Sequence, residues 1–353
     1  MDTLTHALSG ALLARATAPA KADAAALPPG RRLAVGTMAA AFPDIDFVAG
    51  YISPVSYILH HRGITHSLIL APLWGILIAC LCWVIWRRDR SWRAYFAVAT
   101  MGVGVHIAGD LITSYGTMIF APFSDARYAW NTTFIIDLWF TAVIVAGLVW
   151  SRLWRSSRVP AVAGLAVLAT YVGWQAALHH EAVEFGREYA QAAGFRAPRV
   201  TAQPRPASPL NWIVFVAEGE RLDYALVRLT QGEAPSALPA DAGFVARISA
   251  PYLPLNHAVW VKTGRYGASA ADAALARTAW EQPAFGFFRW FAEYPVVYRI
   301  DRDNPSTCVW FQDLRFLTPG RTDFPFRYGM CRGAGQPWRS YRLMSDNMKV
   351  PVS

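Results

Sequence analysis

The sequence predicts a polytopic α-helical membrane domain of about four to six helices, followed by a small, mostly antiparallel β (α+β) soluble domain. Three observations predict it. The 353 residues are 54% hydrophobic and only 16% charged, too apolar for an ordinary soluble chain. Charge is uneven, with eight acids and thirteen Lys or Arg in residues 1–180 against sixteen and twenty in 181–353. Four apolar runs in the first half are long enough, or nearly so, to cross about 30 Å of hydrocarbon as helices. The expected boundaries are a membrane domain at 1–180, a linker at 181–209 and a soluble domain at 210–353.

Taken in order, the runs at 4–14 and 33–42 are short and read as half-inserted or partly spanning segments. The first resembles a signal peptide in its small residues at 14–20, but it opens on Asp2 without a basic stretch and reads as retained. The spanning helices fall at 68–86, 94–112, 134–150 and 159–178. A stretch rich in Ala, Arg and Pro at 191–209 reads as linker. Strands are expected at 211–219, 223–230, 244–249, 294–300 and 307–316, with a helix near 269–293. The aromatic run at 285–291 reads as core rather than as a lipid-resting patch.

Basic residues set the expected orientation. Arg15, Lys21, Arg31 and Arg32 fill one connection; Arg87, Arg88, Arg90 and Arg93 another; Arg152, Arg155 and Arg158 a third. The positive-inside rule makes these cytoplasmic. The alternate connections, 43–67 and 113–133, hold only Arg62 and Arg127 and face outward. Six crossings would carry the soluble domain to the periplasmic side, where Cys308 and Cys331 can pair. The net charge of +9 therefore reports topology, and no interleaved basic and aromatic module points to nucleic acid.

On that topology five segments bring ionisable groups to one side of the membrane: His6; Asp44 and Asp46 in FPDIDF; His61, Arg62 and His66 in HRGITHS; His106 and Asp110 in HIAGD; and Asp137 in FIIDLW. Carboxylates near hydrocarbon are costly unless a cation satisfies them, so intramembrane Asp and His are functional candidates. One or two divalent ions would neutralise them. Imidazole with carboxylate suits Zn, Mn, Fe or Ni, and Zn or Mn is the expectation here. His106 and Asp110, four residues apart, share a helix face. Asp44 and Asp46 would point the same way from an extended turn. The ordinary alternative for a lone histidine such as His6 is a hydrogen-bonded structural role, and a lone HxxxD spacing is common by chance. Packing in a membrane would ask for Ser, Thr or Gly instead of paired acids and histidines.

The stretches MDTLTHALSGALLAR, AFPDIDF, HRGITHS, HIAGDLITSYGT and FIIDLW, in that order over residues 1–180, resemble the bacterial YdjM/YbcI-type inner-membrane metal-dependent hydrolases, a family described as LexA-binding and inner-membrane-associated. The resemblance implies a metal site built from His6, Asp44, Asp46, His61, His66, His106, Asp110 and Asp137. The ligand types are also similar in kind to those of zinc-dependent phospholipases C.

No HExxH, GxSxG or Walker A pattern occurs, and Cys80 and Cys82 lie inside an apolar run. Metal-activated water is the simplest remaining chemistry, with Asp46 or Asp137 taking its proton and Arg62 holding an anionic oxygen of a phosphoester or lipid-linked substrate. The alternative function is a metal- or proton-coupled transporter, whose path would want polar groups on both sides of the midplane. The lipid bilayer is the one partner the sequence names; it leaves the oligomeric state open.

Overall fold

The computed structural model describes residues 1–19, 26–86, 92–233, 238–239, 241–267, 269–303, 305–319, 325–345 and 348–352. Lys21, Arg87, Arg88 and Arg90, part of the expected orientation signal, lie outside the described residues. Two compact units result: Met1–Phe47 with His60–Leu178, and Val48–Leu59 with His179–Ser353.

The first unit is helical. Its elements are α1 (Thr3–Ala16), α2 (Pro29–Ala41), α4 (Ala71–Ile85), α5 (Trp92–Leu111), α6 (Leu138–Leu153) and the first part of α7 (Val159–Ala192), while α3 (Pro54–His60) falls mainly in the second unit. Among the described residues three helices are long and apolar enough to cross a membrane: Pro29–Tyr51, Trp92–Leu111 and Val159–Ala192. A fourth crossing is possible where Pro54–His66 and Ala71–Ile85 form a pair bent by 79°. Three expectations change. The run at 68–86 is an α-helix only over Ala71–Ile85, 15 residues, and counts as a span only with the bent Pro54–His66 segment. The run at 33–42 is extended at both ends into a 23-residue helix, because a 3-10 segment continues α2. The run at 134–150 starts late, at Leu138, and its 16 residues reach only about 24 Å.

Small residues let these helices approach closely. A Cβ on Gly10 of α1 would lie 2.2 Å from the Gly36 carbonyl oxygen of α2, and one on Gly102 of α5 would lie 2.7 Å from Ala39 Cβ. Around these crossings Val35, Ala39, Val98, Val103 and Ile107 form a fully buried core.

The second unit holds two antiparallel-rich sheets. In the first, β1 (Arg199–Pro204), β2 (Asn211–Glu218) and β3 (Arg221–Arg228) are consecutive antiparallel neighbours, and β3 also pairs with β4 (Leu253–Pro254) and β5 (Trp260–Gly264). In the second, β6 (Pro295–Asp303), β7 (Ser306–Asp313), β8 (Tyr328–Gly333), β9 (Arg339–Ser345) and β10 (Met348–Pro351) lie in sequence order. Three further helices are α8 (Phe244–Ser249), α9 (Ala270–Trp280) and α10 (Gly286–Phe291). Cys308 and Cys331 sit opposite each other in the β7–β8 register and form a disulfide. Phe285, Phe288 and Phe291 are buried, so the aromatic run is core.

Three expectations are corrected here. Residues 181–209 are not a linker: α7 continues to Ala192, β1 follows, and the buried Arg205 guanidinium donates to the carbonyls of Leu314 and Arg315. FVARIS is helix α8 instead of a strand, because Phe244 and Val245 stay exposed and β propensity is realised only against a sheet. The expected helix over 269–293 is broken into α9, a 3-10 turn at Pro283–Phe285 and α10, as a proline requires.

Candidate metal centre

Local chemistry aims each polar side chain of the first unit. Asp2 caps α1 by accepting from Thr5 N at 3.0 Å and Thr5 Oγ1 at 2.6 Å, which sets His6 one turn in. The His6 ring lies over Gly109 of α5, where a Cβ would stand 3.1 Å from its Cε1, and it stacks on His106 at 3.7 Å. Pro43 has no N–H to continue the α ladder, and Phe42–Tyr51 is a 3-10 helix. Three residues per turn rotate Asp44 and Asp46 apart by about 240°, so they do not share the direction an extended turn would give. After α3 the chain reverses at Arg62, whose φ of 61° is unusual for a side-chain-bearing residue. Two hydrogen bonds pin that strained backbone: Arg62 N donates to Asp46 Oδ2 at 2.9 Å, and Met118 N to Arg62 O at 2.9 Å.

Four of the expected residues converge. One donor atom each from Asp44, His66, His106 and Asp110 lies within 4.8 Å of the others, a group that can hold a metal ion. His66, His106 and Asp110 are fully buried, and Asp44 is 14% exposed. The imidazole tautomers follow from their partners. His106 Nδ1 lies 2.6 Å from Ala40 O, which only accepts, so this nitrogen carries the proton and Nε2 is bare. His66 Nδ1 faces Asp46 Oδ2 at 3.2 Å and Nε2 faces Asp110 Oδ2, so in its neutral form the ring donates to Asp46 and offers Nε2 to a metal. The two Nε2 atoms stand 2.9 Å apart. Asp110 Oδ2 approaches them at 3.1 and 3.5 Å and takes no hydrogen bond among the described residues. Asp44 Oδ1 is 3.8 and 3.6 Å from the same two nitrogens.

With both rings neutral, four electron pairs face one point in a buried place, an arrangement that a cation between them would relieve. Tetrahedral bonds of about 2.0–2.2 Å imply ligand-to-ligand edges of about 3.3–3.6 Å, close to these separations. The residues present therefore fit a divalent ion.

Around this group lies a second ring of contacts. Asp46 accepts from Thr65 Oγ1 at 3.1 Å and pairs with His61 Nδ1 at 2.7 Å, besides orienting His66. Thr3 Oγ1 donates to Asp44 Oδ2 at 2.6 Å. Asp110 Oδ1 receives Arg62 Nη2 at 2.9 Å and His6 Nε2 at 3.1 Å, and the Met1 amino group also sits on it. Arg62 Nη1 donates to Thr113 Oγ1 at 2.8 Å.

The eight residues taken together from the sequence therefore divide. His6, Asp46 and His61 touch the ligand group or its supports without joining it. Asp137 is not brought there: it caps α6, accepting from Trp139 N at 2.9 Å and Phe140 N at 3.0 Å on Oδ1 and from Tyr171 and Gln175 at 2.9 and 3.0 Å on Oδ2. A carboxylate so engaged has no place as a base, which corrects that expectation. Arg62 is likewise not presented to an incoming anion, being 2% exposed and committed to Asp110. Sequence reasoning missed the supports Thr3, Thr65, Thr113 and Ala40 O. The hydroxyls lay in or beside the quoted motifs, but a backbone carbonyl leaves no signal in side-chain identity.

Comparison with known proteins places these motifs. The YdjM inner membrane protein family matches residues 1–182. The uncharacterized protein YfhP of Bacillus subtilis (strain 168) is 25% identical over 183 residues, which cover 49% of this chain and 52% of that protein. The chain thus spans about half the length of this curated relative. No solved structure matches.

Proposed function

The chain belongs to the YdjM inner membrane protein family, and from that premise we propose that it is a membrane-bound metal-dependent hydrolase holding one Zn or Mn ion between Asp44, His66, His106 and Asp110. The observation that carries the reading is the convergence of the two Nε2 atoms, 2.9 Å apart, with Asp110 Oδ2 and Asp44 Oδ1 in one buried place. Such an ion, when bound, lowers the pKa of a water and polarises the oxygen of a scissile group.

The chain's own residues supply the rest. Asp46 orients His66 through Nδ1, a contact that raises ligand basicity and holds the ring. The Asp46–His61 pair, with side chains 8% and 13% exposed, lies next to the centre and takes the proton of the attacking water. Arg62 neutralises and positions Asp110 through Nη2, while Nη1 is anchored on Thr113 Oγ1. Asp44, the most exposed ligand, marks the side from which a phosphoester or lipid-linked substrate approaches.

Orientation is part of the proposal. Arg15, Arg31, Arg32, Arg93, Arg152, Arg155 and Arg158 flank the helix ends remote in sequence from the site residues, which favours a cytoplasmic location for those ends and the outer face for the centre. The second unit is then periplasmic.

A transporter remains the second reading, favoured by the 79° break between Pro54–His66 and Ala71–Ile85, since broken helices line transport paths. Among the described residues the break has no second copy, and the hydrolase is preferred. Purified full-length protein should carry about one Zn or Mn per chain and cleave an ester or phosphoester in a metal-dependent way. Metal bound without any turnover, together with metal movement into sealed vesicles, would select the transporter.

A further inference from the structure

Resting on the hydrolase reading, we infer that the substrate is a bilayer lipid whose scissile group is an uncharged carboxylic ester, reaching the centre from the hydrocarbon side. Two independent observations carry this, one about the exposed apolar residues that neighbour the site residues and one about the arginine at the centre.

Those neighbours are apolar. Leu4, which follows the Thr3 that bonds Asp44, is 66% exposed; Ile45, between the two aspartates, is 51% exposed; Ile64, between Arg62 and His66, is 49% exposed. Asp44, Ile45 and Asp46 lie inside the candidate span Pro29–Tyr51. Exposed apolar side chains beside the site residues in sequence are unfavourable against water and favourable against acyl chains. A lipid can then present its ester to the centre while its chains stay in the bilayer.

Both terminal nitrogens of the arginine at the centre are committed. Arg62 gives one terminal nitrogen to Asp110 at 2.9 Å and the other to Thr113 at 2.8 Å, and its guanidinium lies 4.9 Å from the centre of the Tyr115 ring. The Met1 amino group sits on the same carboxylate oxygen. Arg127 donates to the carbonyls of Tyr115 and Gly116 at 3.3 and 2.9 Å and stacks on the same ring. Turning Arg62 towards a phosphate would strip Asp110 of its fixed partner in a buried place, a costly exchange. An ester carbonyl brings no charge and needs no such partner. In the reaction the oxygen of water bonds to the acyl carbon and the acyl–oxygen bond breaks. The alcohol leaves with the proton that the Asp46–His61 pair takes from the water, and the other product is a fatty acid.

The test uses full-length protein loaded with Zn or Mn in vesicles of diether phosphatidylcholine, which has a phosphodiester but no carboxylic ester. The vesicles are doped with a diacylglycerol bearing a photoreactive diazirine on one acyl chain. Irradiation should label peptides containing Ile45 or Ile64 in both wild type and His106→Ala, a readout independent of turnover. Wild type should release fatty acid at least 100-fold faster than His106→Ala. Metal-dependent cleavage of the matrix phosphodiester without fatty-acid release would overturn the ester assignment and leave the hydrolase reading standing. Labelling confined to other regions would overturn entry from the hydrocarbon. No product from either lipid would overturn the ester assignment and the hydrolase reading together.

Discussion

His66 and Asp137 are both buried and both come from motif-like stretches, yet they do opposite things, and the difference lies in which atoms are left over. Both Asp137 oxygens are consumed by the α6 cap, Tyr171 and Gln175, whereas His66 Nε2 faces the other three ligand atoms. Alanine at Asp44, His66, His106 or Asp110 should therefore strip metal from detergent-purified protein by at least 100-fold in affinity. Asp137→Ala should retain metal and lose about 1 kcal/mol of stability, the ordinary cost of a missing N-cap. Elemental analysis beside thermal unfolding separates the two cases, and metal loss in Asp137→Ala would contradict the assignment. Supports behave differently again. Asp46→Asn should weaken metal binding about 10- to 100-fold by loosening His66. Arg62→Lys keeps charge but loses the fork between Asp110 and Thr113, so metal affinity should fall with it. Unchanged affinity in Arg62→Lys would return that arginine to substrate handling.

Helices and turns place these atoms, and their spacing is set by very small residues. The α1–α2 crossing brings His6 and Asp44 towards α5 only because Gly10 and Gly36 have no side chains; a Cβ at Gly36 would lie 2.6 Å from both Ala14 Cβ and the Gly10 oxygen. Gly10→Val should push the helices apart, reduce the yield of folded protein and abolish metal binding in what remains. Gly104, where an added Cβ meets nothing within 4 Å, is the control: Gly104→Ala should leave metal content unchanged. In the second unit the element that matters is the β7–β8 pair. A bridge closing the 23-residue separation between Cys308 and Cys331 is worth about 3 kcal/mol in loop-closure entropy. Cys308→Ser should lower the unfolding midpoint of the second unit accordingly, as read by denaturant titration.

For the whole molecule the open question is sidedness, and the disulfide makes it measurable. With Cys80 and Cys82 replaced by alanine, Cys308 and Cys331 should react with a membrane-impermeant maleimide on intact spheroplasts only after reduction. Labelling that requires a broken membrane would put the second unit, and with it the proposed outer-face centre, on the cytoplasmic side.

What the sequence by itself determined was the division into a helical apolar half and a β-rich half, and the residues from which a centre could be drawn. Apolar run length, helical spacing and charge placement are local properties, which is why α5 was legible to within two residues at each end and why His106 and Asp110 were paired correctly on one face. Tertiary structure decided which polar groups meet. The 3-10 phase after Pro43 turns Asp44 inward and Asp46 back towards His61; the reversed backbone at Arg62 delivers His66; and the Ala40 carbonyl selects the His106 tautomer. It also decided that Asp137 is a cap, that 181–209 is part of a domain and that FVARIS is a helix. Each of these depends on the partner a group finds at a distance along the chain, and composition and spacing carry no record of that partner.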